Sequence, residues 1–206
     1  MLHRSAATVQ AGCNRQQFDA NRLYPLFEEY YKALVEETGA DFILGTAEKQ
    51  ILGQLCLWYA ADERFKGSLR KGLLIHGACG TGKTKMCKTL GRVMQTVERK
   101  NLKIVSAYDL QRLYERQLDD EIDVLRKRDL LVIDDIGVES VETRYYGNTS
   151  EPFKDLFYYR YQERKTTIIT TNLTHRELKS RYGDRIYDRM RETLNDVELD
   201  GKSKRK

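Results

Sequence analysis

The sequence predicts an α/β fold in which helices cover both faces of a parallel sheet. From Leu73 onward, four short apolar runs, "LLIHG", "LKIVSA", "LLVIDD" and "TTIITTN", alternate with longer stretches of helical periodicity. This alternation is typical of βαβ units, because strands that are buried on both faces need nearly continuous apolar residues. A glycine-rich segment follows the first run, and two aspartates end the third. Ligands of such sheets bind where the strands end, so we expect a functional site there.

Length and composition limit the possible classes of protein. A chain of 206 residues, 40% of them apolar and 33% charged, is long enough for one domain with a substantial core and a small appendage. No uninterrupted apolar run approaches the roughly eighteen residues that a membrane span needs. The first residues also lack the apolar stretch of a signal peptide. We therefore expect a cytoplasmic protein without membrane contact.

The cysteines and the net charge are only weakly informative. Cys13, Cys56, Cys79 and Cys87 lack metal-ligand spacing, and we interpret them as reduced residues. The formal net charge of +5 permits contact with phosphate backbones without requiring it. Part of that charge comes from the tail residues Lys202, Lys204, Arg205 and Lys206, for which a solvated tail is the simpler interpretation.

Two helices are predicted before the first strand. Apolar and aromatic residues recur at helical spacing from Leu23 to Thr38, and a second helix is predicted from Thr46 to about Phe65. After the last strand, "THRE" (174–177) has the spacing of a capping box and predicts a further helix.

The segment "GACGTGKT", Gly77 to Thr84, follows the first strand and precedes a helical stretch. This context fits the GxxxxGK[ST] pattern, in which backbone amides surround a pyrophosphate at the positive end of a helix. Lys83 is expected to reach the β- and γ-phosphates, and Thr84 to bind Mg²⁺. The predicted nucleotide contacts are Gly77, Ala78, Cys79, Gly80, Thr81, Gly82, Lys83, Thr84 and Lys85.

Polar residues end the third and fourth strands. Asp134 and Asp135 follow a buried strand, and two adjacent carboxylates there need a cation or a proton. We predict that Asp134 holds Mg²⁺ and that Asp135 orients the attacking water or accepts its proton. Asn172 is predicted to bind the γ-phosphate or the water, or else to serve as a turn or helix-cap residue.

Four segments, "GACGTGKT", "LLVIDDIGVE", "RYQERKTTIITTNLTHREL" and "GDRIYDRMRE", together resemble the AAA+ ATPases of the DnaC-type helicase-loader group. The IstB-type transposition helpers look similar. The resemblance covers roughly residues 70–206 and implies a P-loop NTPase with a five-stranded parallel AAA+ core flanked by helices. It also implies ATP and Mg²⁺ as cofactors, hydrolysis of ATP, self-association into a ring or spiral, and Asn172 as the sensor residue.

The segment "RYGDRIYDRMRE" (181–192) contains regularly spaced arginines. If it is helical, Arg185 and Arg189 share one face, and local ion pairs of Arg181 with Asp184 and of Arg185 with Asp188 are one interpretation. The resemblance implies instead that an arginine reaches the γ-phosphate held by a neighbouring subunit. Arg189 is our first choice for this arginine finger and Arg185 our second.

Residues 106–128 fall where the loader group carries an extra helical element facing the central pore. In the family that pore grips single-stranded DNA, which combines backbone charge with aromatic stacking. The resemblance makes Lys103, Ser106, Tyr108 and Arg112 candidate DNA contacts. Simple packing of Tyr108 and Leu110 is the alternative.

The chain departs from most AAA+ proteins in two ways. They have Asp-Glu where this chain has Asp134-Asp135; the loader group also contains paired aspartates, and the shorter acid implies slow hydrolysis. Too few residues follow Arg189 for a full C-terminal lid. The insertion "SVETRYYGNTSEP" (140–152) is predicted to be a surface loop.

We predict an N-terminal region, residues 1–45, and an ATPase domain, residues 46–206. The N-terminal region has no recognisable family pattern. Loaders use it to bind the replicative helicase, and the aromatic helix offers Tyr24, Phe27, Tyr30 and Tyr31 for that contact. Folding of this helix onto the ATPase core is an equal alternative.

The favoured function is an ATP-switched loader that binds single-stranded DNA and a replicative helicase. The alternatives are a transposition helper that binds duplex DNA, and a nucleotide-gated DNA-binding module with vestigial turnover. A small-molecule kinase is disfavoured by "ITTN" and by the late arginines.

Overall fold

A computed structural model describes residues 16–39, 45–145 and 148–199. The helices are α1 (Ala20–Glu36), α2 (Thr46–Tyr59), α3 (Lys83–Glu98), α4 (Ala107–Glu115), α5 (Asp119–Lys127), α6 (Pro152–Gln162), α7 (His175–Tyr182) and α8 (Asp184–Thr193). The strands are β1 (Gly72–His76), β2 (Lys103–Ser106), β3 (Leu130–Ile136), β4 (Thr143–Tyr145), β5 (Asn148–Ser150), β6 (Thr166–Thr171) and β7 (Leu194–Glu198). None of the helices in these ranges is both long and apolar enough to span a bilayer.

Five strands form a parallel sheet in the order β2-β3-β6-β1-β7, which confirms the predicted fold class. The four apolar runs of the sequence become β1, β2, β3 and β6. The fifth strand, β7, pairs with β1 from Leu194 opposite Gly72 to Glu198 opposite His76. Only the family resemblance implied this strand, because "LNDVE" is a polar edge strand without an apolar run. All five strands run the same way, so their carboxyl ends lie at one edge of the sheet.

The described residues form two compact units. One contains the described residues up to Lys71 together with Lys85–Asn101, and the other contains Gly72–Thr84 together with the described residues from Leu102 onward. In the second unit, side chains from β1, β2, β3 and β6 form a buried cluster with side chains from α4 to α8. Leu131, Ile133, Ile169 and Leu178 are fully buried at its centre.

The first unit is built on the predicted amphipathic helix. The Asp19 carboxylate accepts the Asn21 backbone N–H and caps α1. Phe27 and Tyr31 are buried, and the Phe27 ring lies 6.2 Å from the Tyr59 ring of α2. The prediction that the second helix reaches Phe65 is wrong. The helix ends at Tyr59 because Ala61 adopts a left-handed conformation with φ 53°.

Part of the insertion predicted to be a surface loop is a two-stranded antiparallel hairpin. Thr143 of β4 lies opposite Ser150 of β5, and Tyr145 lies opposite Asn148. The loop prediction is therefore wrong for these residues. Threonine and tyrosine favour strands, and this local signal was outweighed in the sequence by the surrounding polar residues.

The arginine-rich segment is two helices rather than one. Gly183, with φ 83°, separates α7 from α8. Because the helix is interrupted there, the expected pairing of Asp184 with Arg181 is wrong, and Asp184 lies 3.4 Å from Lys179 Nζ instead. The predicted capping box of α7 is confirmed: Thr174 and Glu177 bond each other's backbone N–H groups.

Arg160 of α6 is fully buried. Its guanidinium donates to the carbonyls of Leu125, Arg126 and Arg128 at 2.7–3.2 Å, and thereby caps the carboxyl end of α5. It also donates to Thr166 O and Thr167 Oγ1 of β6, at 2.6 and 3.0 Å. Burial lowers the pKa of Arg160 to about 10, so the group stays protonated at neutral pH.

We expect Arg160→Met to lower the free energy of unfolding by about 3 kcal/mol, because buried carbonyls would lose their donors. Arg160→Lys should recover only part of this loss, since an ammonium cannot reproduce the planar fork. Chemical denaturation of the purified chain measures both variants. Arg116→Met, at an exposed arginine, is the matched control and should change stability little. A loss no larger than the control's would contradict the assigned role.

Candidate nucleotide-binding site

The glycine-rich segment Gly77–Thr84 connects β1 to α3. Gly80 and Gly82 adopt positive φ values of 82° and 101°, which residues with a side chain rarely tolerate. At Gly77, with φ 145°, an added Cβ would lie 2.3 Å from the Leu199 carbonyl oxygen. Leu199 N also donates to His76 O at 2.7 Å. The chain that follows β7 therefore fixes the beginning of this loop.

The Lys83 ammonium lies at the centre of the site. It donates to Gly77 O at 2.7 Å, to Ala78 O at 2.8 Å and to Asn172 Oδ1 at 2.7 Å. The side chain is largely buried, so its charge is only weakly screened by water. A buried ammonium at a turn of inward-facing glycines fits the phosphate groups of a nucleotide.

Thr84 and Asp134 lie beside this lysine on neighbouring elements. Thr84 Oγ1 donates to Asp134 Oδ2 at 2.9 Å, and Asp134 is 8% exposed. Thr170 Oγ1 of β6 donates to Asp134 Oδ1 at 2.6 Å. A hydroxyl and a carboxylate at this spacing are the oxygen ligands that Mg²⁺ prefers, so the pair predicted to hold magnesium fits that ion.

A bulge in β3 separates the two aspartates. The pairing of β3 with β6 shifts between Ile133 and Ile136, and Asp135 adopts φ 60°. Asp135 N donates to Thr170 Oγ1 at 2.7 Å rather than continuing the ladder. Its carboxylate consequently meets Asn172, whose Nδ2 donates to Asp135 Oδ1 at 2.8 Å. Such local strain concentrates at functional sites.

The structure thus brings together five predicted residues at the carboxyl edge of the sheet: Lys83, Thr84, Asp134, Asp135 and Asn172. Sequence reasoning missed Thr170, which contacts both aspartates. A threonine inside an apolar strand is explained by its ordinary preference for strands, so it gives no sign of a functional role. Its near-complete burial in the structure is what shows that its hydroxyl needs partners.

Two of the residues predicted to contact the nucleotide do not join the hydrogen-bonded group around Lys83. The Cys79 side chain is exposed on the loop. The Lys85 ammonium donates to Thr38 Oγ1 at 3.0 Å, at the carboxyl end of α1. Their contacts with a nucleotide stay predictions.

The two candidate finger arginines lie on α8 and share aromatic neighbours on α6. The Arg189 guanidinium lies 4.6 Å from the Tyr158 ring centroid and 5.0 Å from that of Tyr161. Arg185 is exposed and lies 5.4 Å from the Tyr158 ring. Among the residues that the structure describes, Arg189 Nε is buried without a hydrogen-bond partner. The tyrosines therefore orient Arg189 while leaving hydrogen-bond capacity on its guanidinium.

Glu139 connects the end of β3 to α7, and sequence reasoning also missed it. Its carboxylate accepts from Gly137 N at 2.7 Å and from the Tyr182 hydroxyl at 2.6 Å. Arg181 donates to the Glu139 carbonyl. Burial and the adjacent Glu139 charge raise the pKa of Tyr182, so this hydroxyl remains a donor. Arg181 thus has a structural contact within its own chain.

The four candidate DNA contacts lie on β2 and on the helix that follows it, α4. Lys103 begins the strand, whereas Ser106 ends it and caps α4 by accepting the Asp109 N–H at 2.9 Å. Tyr108 is 56% exposed, and the Arg112 guanidinium carbon lies 6.0 Å from its ring centroid. Of the four residues, Tyr108 and Arg112 form one exposed aromatic and cationic pair.

Comparisons with known proteins agree with this geometry. The family model described as IstB-like ATP binding protein matches residues 68–206. The replicative helicase loader DnaC of Buchnera aphidicola is 29% identical in an alignment of 126 residues that covers 57% of this chain and 49% of the relative. The chain therefore spans about half the length of the curated relative that it matches.

Solved structures share the fold. A crystal structure of the DnaC helicase loader superposes with a TM-score of 0.59 at 23% identity, over 76% of this chain and 92% of the other. AMPPCP-bound DnaA from Aquifex aeolicus gives a TM-score of 0.54 at 20% identity, over 79% of this chain and 50% of the other. At these identities the likeness concerns the fold alone, which is that of the AAA+ P-loop ATPases.

The Thr170 hydroxyl can be tested by substitution. We expect Thr170→Val to weaken the magnesium-dependent part of ATP affinity about tenfold, because Asp134 loses a donor and the Asp135 N–H loses its acceptor. Thr170→Ser keeps the hydroxyl and is the matched control. Calorimetric titration with ATP, with and without Mg²⁺, measures the effect. Equal affinities for the valine and serine variants would refute this role of Thr170.

Proposed function

The chain belongs to the IstB-like ATP-binding proteins, and we propose that it is an ATPase that loads a replicative helicase onto single-stranded DNA. The observation that carries the enzymatic part is the hydrogen-bonded chain from Lys83 through Asn172 to Asp135, beside the Thr84–Asp134 pair. The loader function is favoured by the similarity to a protein named as a replicative helicase loader. Because such a protein would act where the helicase works, a cytoplasmic location is part of the proposal.

The side chains of the site have distinct roles in this proposal. Lys83 binds the β- and γ-phosphates, and Thr84 and Asp134 hold Mg²⁺. Bound Mg²⁺ neutralises charge on the phosphates. Asp135 orients the attacking water or accepts its proton. Asn172 contacts both Lys83 and Asp135, so a change at the phosphate end of the site is transmitted to the group that positions the water.

Slow turnover follows from the same geometry. The Asp135 side chain is one methylene shorter than the glutamate of most AAA+ proteins, and Asn172 already donates to it. Asn172 bonds only Oδ1 of this carboxylate, so Oδ2 is left to accept from a water, and the shorter side chain places it farther from that water than a glutamate would. Slow hydrolysis suits a switch in which the ATP-bound state lasts long enough to assemble a complex.

An arginine supplied by a neighbouring subunit would complete the site. Arg189 is the proposed finger, because Tyr158 and Tyr161 orient its guanidinium, and the hydrogen bond that its Nη1 donates to Arg185 O is long, at 3.5 Å. A planar, permanently charged guanidinium suits the charge that develops on a transferring phosphoryl group. Arg185, exposed one turn earlier on α8, is the second choice. This role requires a ring or spiral oligomer.

Tyr108 and Arg112 are the proposed DNA contacts within the four candidates. An exposed ring with a guanidinium beside it offers both stacking and backbone charge, which is how single strands are bound without sequence preference. Ser106 contributes by fixing the first turn of α4. Lys103 lies a strand's length away, so it would contact a different nucleotide.

The helicase contact is proposed for the N-terminal region, residues 1–45. Phe27 and Tyr31 are buried within the first unit, and the Tyr30 hydroxyl lies 2.7 Å from Thr96 Oγ1. The accessible aromatic side chains of α1 are consequently Tyr24 and Tyr30, which are both half-buried. Residues 1–15 of this region lie outside the described residues.

The IstB-like family match also favours a second function, namely a transposition helper that binds duplex DNA. The ATPase site is common to both functions. The preferred DNA substrate and the protein partner distinguish them.

We expect Arg189→Ala to leave ATP binding by the isolated subunit unchanged and to lower steady-state phosphate release at least tenfold, because the lost charge acts on a neighbour's nucleotide. Arg189→Lys should restore little, since lysine lacks the planar fork. Phosphate release as a function of protein concentration measures both variants.

Two controls accompany this assay. Arg185→Ala should have a smaller effect, and Asp135→Asn should lower turnover in every subunit. A loss of ATP affinity in Arg189→Ala would place that arginine in its own subunit's site. Turnover of Asp135→Asn equal to that of the wild type would favour a nucleotide-gated module without catalysis.

With ATP, the full chain should bind single-stranded DNA at least tenfold more tightly than duplex DNA of the same length, because aromatic stacking needs unpaired bases. Tyr108→Ala should reduce this preference, whereas Lys49→Ala, at an exposed residue of α2, should not. A filter-binding titration measures the affinities. Preference for duplex DNA would favour the transposition helper.

The replicative helicase of the encoding organism provides the partner test. Immobilised full chain should retain that helicase in the presence of ATP, and Tyr24→Ala should retain less. Failure of the wild-type chain to retain the helicase would count against the loader function even if ATP hydrolysis were intact.

A further inference from the structure

A cluster of two histidines and an aspartate lies outside the nucleotide-binding machinery. His76 ends β1, His175 begins α7, and Asp196 lies on β7. His76 Nε2 lies 3.1 Å from Asp196 Oδ1, and His175 Nε2 lies 3.1 Å from Asp196 Oδ2. One potential ligand atom from each residue falls within 4.8 Å of the others. The three chain segments are brought together only by the folded sheet.

The burial of His76 sets the cluster apart from a surface ion pair. The residue is 8% exposed, and His76 Nε2 has no hydrogen-bond partner among the residues that the structure describes. Its contact with Asp196 satisfies the distance of an ion pair but not the geometry of a hydrogen bond. An imidazole nitrogen that is buried and unsatisfied is costly unless a further ligand meets it.

The sheet register directs the groups toward one another. In the pairing of β1 with β7, Leu74 lies opposite Asp196, and His76 lies two residues further along β1, on the same face. The His76 and His175 rings stand at 67° with centroids 4.8 Å apart. Asp196 and His175 also line a cleft of about 420 Å³, so the cluster opens to solvent on one side.

We propose that His76, His175 and Asp196 bind a divalent transition-metal ion, for which zinc is the representative. Two imidazoles and one carboxylate are ligands of the type that zinc accepts, and the cleft leaves a fourth position open to solvent or to an exogenous group. Tetrahedral ligands of zinc lie about 3.3 Å apart, close to the 3.1 Å between each histidine nitrogen and an Asp196 oxygen. The two histidine nitrogens lie within 4.8 Å of each other, so binding of the ion requires them to move closer, and His175, which is only half-buried, is the residue that we expect to adjust.

The ion would join β1, β7 and α7 beside the phosphate-binding loop, since His76 immediately precedes Gly77. This site shares no ligand with the magnesium pair Thr84–Asp134. The proposal therefore stands apart from the loader function, and a failure of one leaves the other unaffected.

Zinc binding by the full chain, without a histidine tag, tests the proposal. The chelator-stripped protein is dialysed against zinc chloride in excess Mg²⁺, and bound zinc is measured by mass spectrometry. We expect one zinc per chain at micromolar free zinc, and at least tenfold weaker binding for His175→Ala and for Asp196→Asn. Cys79→Ser controls for the exposed thiol and should bind zinc as the wild type does.

Two further measurements complete the test. X-ray absorption at the zinc edge should show two imidazole ligands. Zinc at a hundredfold excess over the wild-type Kd should raise the Tm of the wild type by about 5 °C, and that of His175→Ala by no more than about half as much. Unchanged far-UV circular dichroism would show that the variants fold. Retention of no zinc at 100 µM, or equal retention by the wild type and both ligand variants, would overturn the proposal and leave a histidine–aspartate ion pair.

Discussion

The candidate site depends on one hydroxyl that bonds two neighbouring aspartates, one through its carboxylate and the other through its backbone N–H. Thr170 donates to the Asp134 side chain and accepts the Asp135 backbone N–H, so it fixes the bulge at the end of β3. In a regular strand, successive side chains point to opposite faces, and the two aspartates could not serve one nucleotide. The bulge removes this restriction. Asp134 stays beside Thr84, and Asp135 turns to Asn172 and hence to Lys83.

Much of the fold could be predicted because its signals are local. Continuous apolar runs specify β1, β3 and β6, and the capping box at Thr174 specifies the start of α7. The failures have a common physical cause. The second helix ends where Ala61 turns left-handed, and residues 181–192, which were considered as a possible single helix, are interrupted at Gly183. Both helix ends depend on a residue with positive φ, and composition and hydrophobic periodicity do not predict the position of such a residue. β7 is too polar to be recognised, because an edge strand needs only one buried face.

The residues of the candidate site likewise fall into those that the sequence predicted and those that only the structure revealed. Residues with a distinctive side chain at a strand end, such as Lys83, Asp134 and Asn172, were identified in the sequence and lie together in the structure. Thr170, Glu139 and Arg160 were not, because each acts through a buried hydrogen bond to a segment distant in sequence. Polar groups of this kind become evident only when burial shows that they need partners. Sequence patterns therefore identify the residues expected to contact the nucleotide, whereas the residues that hold them in place are recognised only in the folded structure.

The close approach of Leu199 to the phosphate loop has a consequence for spectroscopy. The Leu199 amide donates to His76, and its carbonyl occupies the space that a side chain at Gly77 would need. This amide lies outside the loop in sequence but is coupled to its first glycine through a single hydrogen bond. Its nuclear magnetic resonance shift is therefore a local reporter of loop conformation, and it can be observed without placing a mutation or label in the loop itself. Hydrogen exchange at the same amide would measure how often the sheet edge separates from the loop.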